Sequence, residues 1–126
     1  MQRDTRQRRT IRRVFEGASR PLTPQEVLAV AQRRIPRLGL ATVYRTINSL
    51  VTEGWLRAVE LPGAAPRYEQ LSDRHHHYFQ CRTCGRAFEI PGCPGNLANL
   101  VPPGFHMEGH EVVLYGQCRG CSGVAS

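Results

Sequence analysis

Apolar positions recur at helical spacing in three stretches of the first half of this chain, then give way to short runs bounded by turn residues. Ile11, Val14 and Phe15 form an apolar stripe in a segment from Arg3 to Glu16 whose other faces carry Arg6, Arg8, Arg9, Arg12 and Arg13. Ser19-Arg20-Pro21 breaks that helix. Thr23-Pro24-Gln25-Glu26 then has the form of a capping box with proline at the first helical position. The helix it opens turns Val27, Leu28 and Ala31 inward and is expected to end near Ile35-Pro36. A third helix is expected from Ala41 to Glu53, with Val43, Ile47, Leu50 and Val51 on its apolar face and Gly54 closing it. Strands at Trp55–Leu61 and Arg67–Leu71 flank a Pro-Gly-Ala-Ala-Pro loop, which predicts a hairpin. Further strands are expected at His75–Gln80, Arg86–Ile90 and Val112–Tyr115, with a short helix at Gly95–Leu100.

Charge divides the chain in the same place. Residues 1–66 hold 12 arginines against five acidic residues, whereas residues 67–126 hold five of each. All five cysteines and all five histidines lie in that neutral second part. The pattern predicts a basic polyanion-binding domain over 1–66 and a metal-binding domain over 67–126. With 126 residues shared between them, each has a thin core, and a structural metal is a common staple for so small a unit. No apolar run approaches the ~18 residues of a membrane span, and the N-terminus lacks an apolar signal region. A cytosolic protein with no membrane partner is expected, in which cysteines serve as metal ligands or sensors rather than disulfides.

Three helices followed by a hairpin, with the basic residues in front, describe a winged helix-turn-helix. Its third helix would be the reader. Burying the apolar stripe leaves Thr42, Tyr44, Arg45, Asn48 and Ser49 on or near the opposite face. Such residues suit a major groove, because Arg pairs bidentately with guanine and Asn with adenine. Arg8, Arg9 and Arg12 of the first helix are candidate phosphate contacts. In the second part, Cys81-Arg-Thr-Cys84 and Cys118-Arg-Gly-Cys121 are two C-x2-C pairs, the composition of a closed tetrahedral zinc site. His75-His76-His77 precede the first pair and offer a different, more exchangeable ligand chemistry.

Gly39-Leu40-Ala41-Thr42-Val43-Tyr44-Arg45-Thr46-Ile47-Asn48, then His75-His76-His77 before Cys81-x2-Cys84-Gly85, then Leu114-Tyr115-Gly116-Gln117-Cys118-x2-Cys121, resemble the ferric uptake regulator family. The resemblance runs from about Thr10 to Cys121, with the motifs in the family's order. It implies an α+β protein: an N-terminal winged helix-turn-helix, then a small α/β dimerisation domain with a four-cysteine zinc site. It also implies a homodimeric repressor of metal-homeostasis genes, binding palindromic operator DNA in response to metal, with no small-molecule substrate. Tyr44 and Arg45 match the family's DNA-contacting pair, and Cys81, Cys84, Cys118 and Cys121 its structural zinc ligands.

At the sensing site the chain departs from that pattern. The family usually takes regulatory ligands from the positions of Glu69, His76, Tyr78 and Glu89, and from that of Pro21 in the DNA-binding domain. Tyr78 and Pro21 are not suitable ligands. Two repairs are open. Cys93, the one cysteine outside the pairs, follows closely on Glu89 and would complete a site with Glu69, His76 and Glu89. Alternatively His75, His77 and His110 match a second family site whose acidic fourth ligand is not evident. A thiolate among imidazoles and carboxylates suits Zn²⁺ and the zinc-uptake branch, whereas a nitrogen and oxygen set suits Fe²⁺ or Mn²⁺ and iron or peroxide sensing. His106 is expected to be an ordinary strand residue. A metallo-hydrolase would need a motif such as His-Glu-x-x-His, which is absent, so no enzyme is expected. A zinc-ribbon module binding RNA or protein fits the Cys pairs but leaves the third helix and hairpin unexplained.

Overall fold

The computed structural model describes residues 5–72, 76–93 and 95–123. The chain forms two compact units, Met1–Asp73 and Arg74–Ser126. The division expected at 66/67 therefore moves towards the C-terminus. The reason is pairing: Arg67–Gln70 (β2) lies antiparallel to Leu56–Val59 (β1), with Leu56 opposite Gln70 and Val59 opposite Arg67. Leu22 bonds Tyr68 in both directions, at 2.9 and 2.8 Å, and so adds a further rung to the hairpin.

The first unit comprises helices α1 (Arg6–Gly17), α2 (Pro24–Ala31) and α3 (Leu40–Thr52), then the β1–β2 wing. Helix α1 begins at Arg6, later than the expected Arg3, because the Thr5 hydroxyl accepts the Arg8 amide at 3.1 Å and caps it. The capping box of α2 forms as read: Thr23 Oγ1 accepts the Glu26 amide at 3.2 Å, and Glu26 Oε1 accepts the Thr23 amide at 2.9 Å. Burial works against the Glu26 charge, but the Thr23 amide and the Arg20 guanidinium, 2.8 Å away, outweigh it and hold the carboxyl below its usual range. Helix α2 stops at Ala31 rather than near Ile35. Pro36 disfavours helical backbone at Ile35, and the chain closes instead through tighter turns such as Arg33 to Val30. Helix α3 ends in a Schellman motif: Trp55 N–H reaches Leu50 C=O at 2.9 Å and Gly54 N–H reaches Val51 C=O at 3.0 Å. That turn needs φ of +81° at Gly54, which glycine takes without a steric penalty.

Ile11, Phe15, Leu22, Val27, Ala31, Leu38, Val43, Ile47, Leu50 and Leu56 form the core of this unit. At roughly 1.5–3 kcal/mol per fully buried aliphatic side chain, such a cluster sustains three helices and a hairpin.

The second unit is a three-stranded sheet in the order β4-β3-β5. Strands β3 (His77–Cys81) and β4 (Ala87–Ile90) are antiparallel around the first Cys pair. β5 (Val113–Gly116) runs parallel to β3, Tyr78 opposite Val113. A parallel neighbour needs a long crossover, and residues 91–112 supply it, with one 3₁₀ turn at Leu97–Leu100. His106 falls in this crossover, exposed and outside any strand, which corrects its expected place. A one-turn helix, α4 (Arg119–Ser122), carries the second Cys pair and was not anticipated. Few large side chains are buried here, Tyr78 and His77 among them, while Leu100, Phe105, Leu114 and Tyr115 are exposed.

Ile47 is wholly buried at the centre of the first unit. Ile47→Ala is expected to cost about 2–5 kcal/mol in a urea titration of the whole protein. A loss below about 1 kcal/mol would show that α3 is held by something other than this core.

Candidate metal centres and nucleic-acid interface

On α3 the buried Val43, Ile47 and Leu50 leave Tyr44, Arg45 and Asn48 exposed and Thr42 half-exposed, as the helical spacing requires. Arg45 Nη2 donates to Thr42 Oγ1 at 3.2 Å, so the guanidinium is held along the helix, one turn back. This face has the donors and the apolar tips that a base edge can use.

The arginines of α1 do not behave alike. Arg8 is 9% exposed: its guanidinium donates to Ser49 Oγ at 3.1 Å and forms a close ion pair with Glu53, both at the C-terminal end of α3. Its expected phosphate contact is therefore replaced by a clamp between α1 and the reading helix. The hydrogen bond from Arg8 also holds the Glu53 carboxyl below its usual range. The clamp is thus intact at neutral pH and is lost only as pH falls through that lowered pKa. A signal for it was present in the sequence, since Arg8 stands three and seven residues before Ile11 and Phe15, on the buried stripe. Arg12 lies over the Trp55 ring, 4.9 Å from its centroid, and Trp55 meets Phe15 edge-on. Arg9 is exposed.

Cys81, Cys84, Cys118 and Cys121 converge, their sulfurs within 4.8 Å of one another. The β3–β4 turn brings in the first pair and α4 the second. Gly85 makes the knuckle with φ of +78° while its amide bonds Cys81 C=O at 3.0 Å. Arg82 N–H to Gly116 C=O at 2.7 Å, and Gln117 Nε2 to Thr83 Oγ1 at 3.1 Å, tie that knuckle to the end of β5. The amides of Cys84 and Cys118 both approach Cys81 Sγ at 3.4 Å and lower its pKa to about 6. Cys121 is pushed up to about 12 by its hydrogen bonds with Cys118 and Cys81. The four sulfurs lie close enough together to share one ion. The donor set and spacing fit a divalent zinc ion.

The remaining candidates separate by strand face. His76 and His77 are consecutive at the start of β3 and turn to opposite sides. His76 Nδ1 lies 3.5 Å from Glu89 Oε2, and its ring meets Tyr78 edge-on. Glu69, in the first unit, is 8% exposed and pairs with Arg57 Nε at 3.3 Å. Cys93, expected beside His76 and Glu89, is instead on the His77 side. Its sulfur is 3.4 Å from His77 Nε2 and 3.0 Å from His110 Nε2, and the two imidazoles stack with centroids 5.0 Å apart. The crossover brings the Cys93 segment and the His110 segment to the same end of the sheet, which no local spacing announces. Cys93 thus stands with His77 and His110 in a group that could hold a metal ion, where the expected set had no acidic fourth residue. His75 lies outside the described residues. His77 is 1% exposed, and its Nδ1 accepts the Val112 amide at 3.0 Å, which orients the ring. With Nδ1 accepting that bond, the proton of a neutral His77 ring sits on Nε2, facing Cys93 Sγ; ligation through Nε2 would need the proton on Nδ1 and the Val112 bond given up.

The ferric uptake regulator family model matches residues 2–115. The chain belongs to the ferric uptake regulator family. The ferric uptake regulation protein of Campylobacter jejuni is 30% identical over 123 residues, covering 94% of this chain and 78% of that one. The zinc uptake regulation protein of Mycobacterium tuberculosis is also 30% identical, over 122 residues and 94% of each chain. Among solved structures, a zinc-bound manganese uptake regulator superposes with a TM-score of 0.82 at 25% identity, covering 93% of this chain and 91% of that one. This protein is accordingly a metal-responsive transcription regulator, of a family whose members bind operator DNA as dimers and are not enzymes. Among the described residues no helix is long and apolar enough to cross a membrane.

Within a regulator of this family the four-cysteine cluster and the exposed face of α3 allow distinct tests. Cys81→Ser with Cys84→Ser is expected to remove one zinc per chain, measured by elemental analysis, and most of the dimer, measured by sedimentation. A double variant that remains dimeric and fully zinc-loaded would remove the structural role of the four-cysteine cluster. On the DNA face, Arg45→Ala is expected to cost about 1–3 kcal/mol on the operator and to relax preference at one position of each half-site. Arg8→Ala is expected to lower stability and leave the salt dependence of DNA binding unchanged, whereas loss of a phosphate contact would flatten it. Both outcomes are read from binding isotherms on operator and random duplexes across a salt series.

Proposed function

We propose that this family member is a zinc-responsive repressor in which His77, Cys93 and His110 hold the regulatory ion. The observation that carries this reading is the thiol of Cys93 set between two imidazole Nε2 atoms, at 3.4 and 3.0 Å. Sulfur with two nitrogens favours Zn²⁺ over Fe²⁺ and Mn²⁺, which prefer nitrogen and oxygen donors. Holding the ion would join Cys93 and His110 of the crossover to the first residue of β3, in exchange for the Val112 bond to His77. The homodimer then presents two α3 helices to a palindromic operator, with Thr42, Tyr44, Arg45 and Asn48 at the bases and Arg9 and Arg12 near the phosphates. Metal shifts the equilibrium only by binding the DNA-competent state more tightly, so operator DNA reciprocally tightens metal binding.

A second reading has its own support. The His76–Glu89 pair would form a nitrogen and oxygen site if Glu69 joined it, and such a site suits Fe²⁺ or Mn²⁺. Relatives of this chain carry both zinc and ferric names.

Operator affinity against free Zn²⁺, Fe²⁺ and Mn²⁺ separates the two, measured for wild type, Cys93→Ala and Glu69→Ala. Zinc-dependent binding is expected to be lost in Cys93→Ala, with one zinc per chain fewer, and kept in Glu69→Ala. The converse pattern would place sensing at Glu69, His76 and Glu89 and overturn the zinc reading.

A further inference from the structure

We propose that Cys93 is a site of reversible oxidation by hydroperoxides, and that its oxidation opens the His77–Cys93–His110 site and releases the regulatory ion. This rests on the reading of that cluster as the zinc site.

The five cysteines fall into two environments. Four belong to the cluster of paired cysteines, in which Cys81 is completely buried and every sulfur has sulfur neighbours. A closed tetrathiolate leaves no free position on its ion, and its sulfurs share the charge of one cation. Cys93 differs in its neighbours. It is exposed, as Cys84 also is, but it is the single sulfur of its cluster and sits between two imidazoles. The other ligands lie deeper, with His77 buried and His110 half-buried. A small oxidant therefore reaches the sulfur first, and does so without unfolding the sheet. Gly92 and Gly95 have φ of +95° and +76°, and Cys93 lies outside the strands of the described residues.

The chemistry closes without a further cofactor. The Cys93 thiolate attacks one oxygen of hydrogen peroxide; an S–O bond forms, the O–O bond breaks, and the departing hydroxide takes a proton from solvent. The net change is Cys–S⁻ + H₂O₂ + H⁺ → Cys–SOH + H₂O, with sulfur oxidised and peroxide reduced by two electrons. A sulfenic acid lacks the anionic sulfur that made the site soft. The two imidazoles that remain are too few for a stable zinc site. The other four cysteines are engaged in their own cluster, so no intramolecular disulfide is expected to trap the product. Two equivalents of a small thiol then restore it: the first condenses with the sulfenic acid, releasing water, and the second reduces the mixed disulfide. Cys93 would thereby make zinc-dependent repression answer to oxidant as well as to metal supply.

The test uses the full-length zinc-loaded protein, treated with stoichiometric hydrogen peroxide and probed with a 1,3-dione that captures sulfenic acids. The adduct is mapped by peptide mass spectrometry while a chromogenic chelator reports released zinc. Wild type is expected to show the adduct at Cys93, to lose one of two zinc ions per chain, and to recover both after a thiol and zinc are added. Cys93→Ser and Cys93→Ala are expected to keep the tetrathiolate zinc through the same treatment and to give no adduct. Equal zinc release from wild type and variants, or an adduct confined to Cys84, would place the oxidation in the four-cysteine cluster and overturn the proposal. A wild type that holds two zinc ions and leaves Cys93 unmodified overturns the switch alone. A wild type that holds a single zinc before any peroxide overturns the zinc reading, and the coupling falls with it.

Discussion

Four sulfur atoms drawn to one point hold the second unit of this protein together. With His77 and Tyr78 among its few large buried side chains, that unit buries too little apolar surface to order a parallel strand across a crossover of more than twenty residues. The four cysteines bring together the β3–β4 knuckle and the segment just after β5, the two ends that the crossover leaves apart. Backbone amides aimed at Cys81 favour its thiolate, and the donor set is one that a zinc ion would cross-link. The apolar residues freed from core duty, Phe105, Leu114 and Tyr115 among them, are left on the surface of a protein whose family works as dimers.

The first unit solves the same size problem by other means. Its ten-residue apolar cluster spans all three helices and the first strand of the wing, so no metal is required to hold α3. The buried stripe of α3 sets which face turns outward, and the Arg8 clamp adds a polar tie from α1 to its C-terminal end. A guanidinium that bonds Ser49 and Glu53 together fixes two positions one turn apart. Burying such a charge costs desolvation, which full hydrogen bonding offsets without large net gain. Its worth is geometric, since it anchors the helix whose exposed face carries Arg45 and Asn48.

Two consecutive histidines at the start of β3 belong to two candidate groups, His76 beside Glu89 and His77 beside Cys93 and His110. This is why the loss of suitable ligands at Tyr78 and Pro21 does not leave the protein without a candidate sensor. Tyr78 is buried beside His76, packing where a ligand would otherwise stand, while the opposite face gains a thiol from the crossover. At the proposed site, a thiolate would favour zinc and would also place an oxidisable atom among the ligands, so both proposals turn on Cys93.

Much was legible in the residues alone, wherever the determining interactions are local. The capping box at Thr23 to Glu26, the Schellman turn at Gly54, the exposed face of α3 and the two C-x2-C knuckles depend on neighbours within a few positions. Spacing specifies such features directly. The hairpin was visible as two strands around a Pro-Gly loop, yet its second strand was assigned to the wrong domain, because strand pairing and not charge decides where a unit ends. Arg8 looked like a phosphate contact because its partners stand some forty residues away on another helix. Cys93 was paired with Glu89 because they are close in sequence. In the folded chain, the crossover of a parallel strand brings it instead to His110, seventeen residues on, and to buried His77. Local chemistry is written in order along the chain; which ligands meet across a crossover is decided only when β5 docks beside β3.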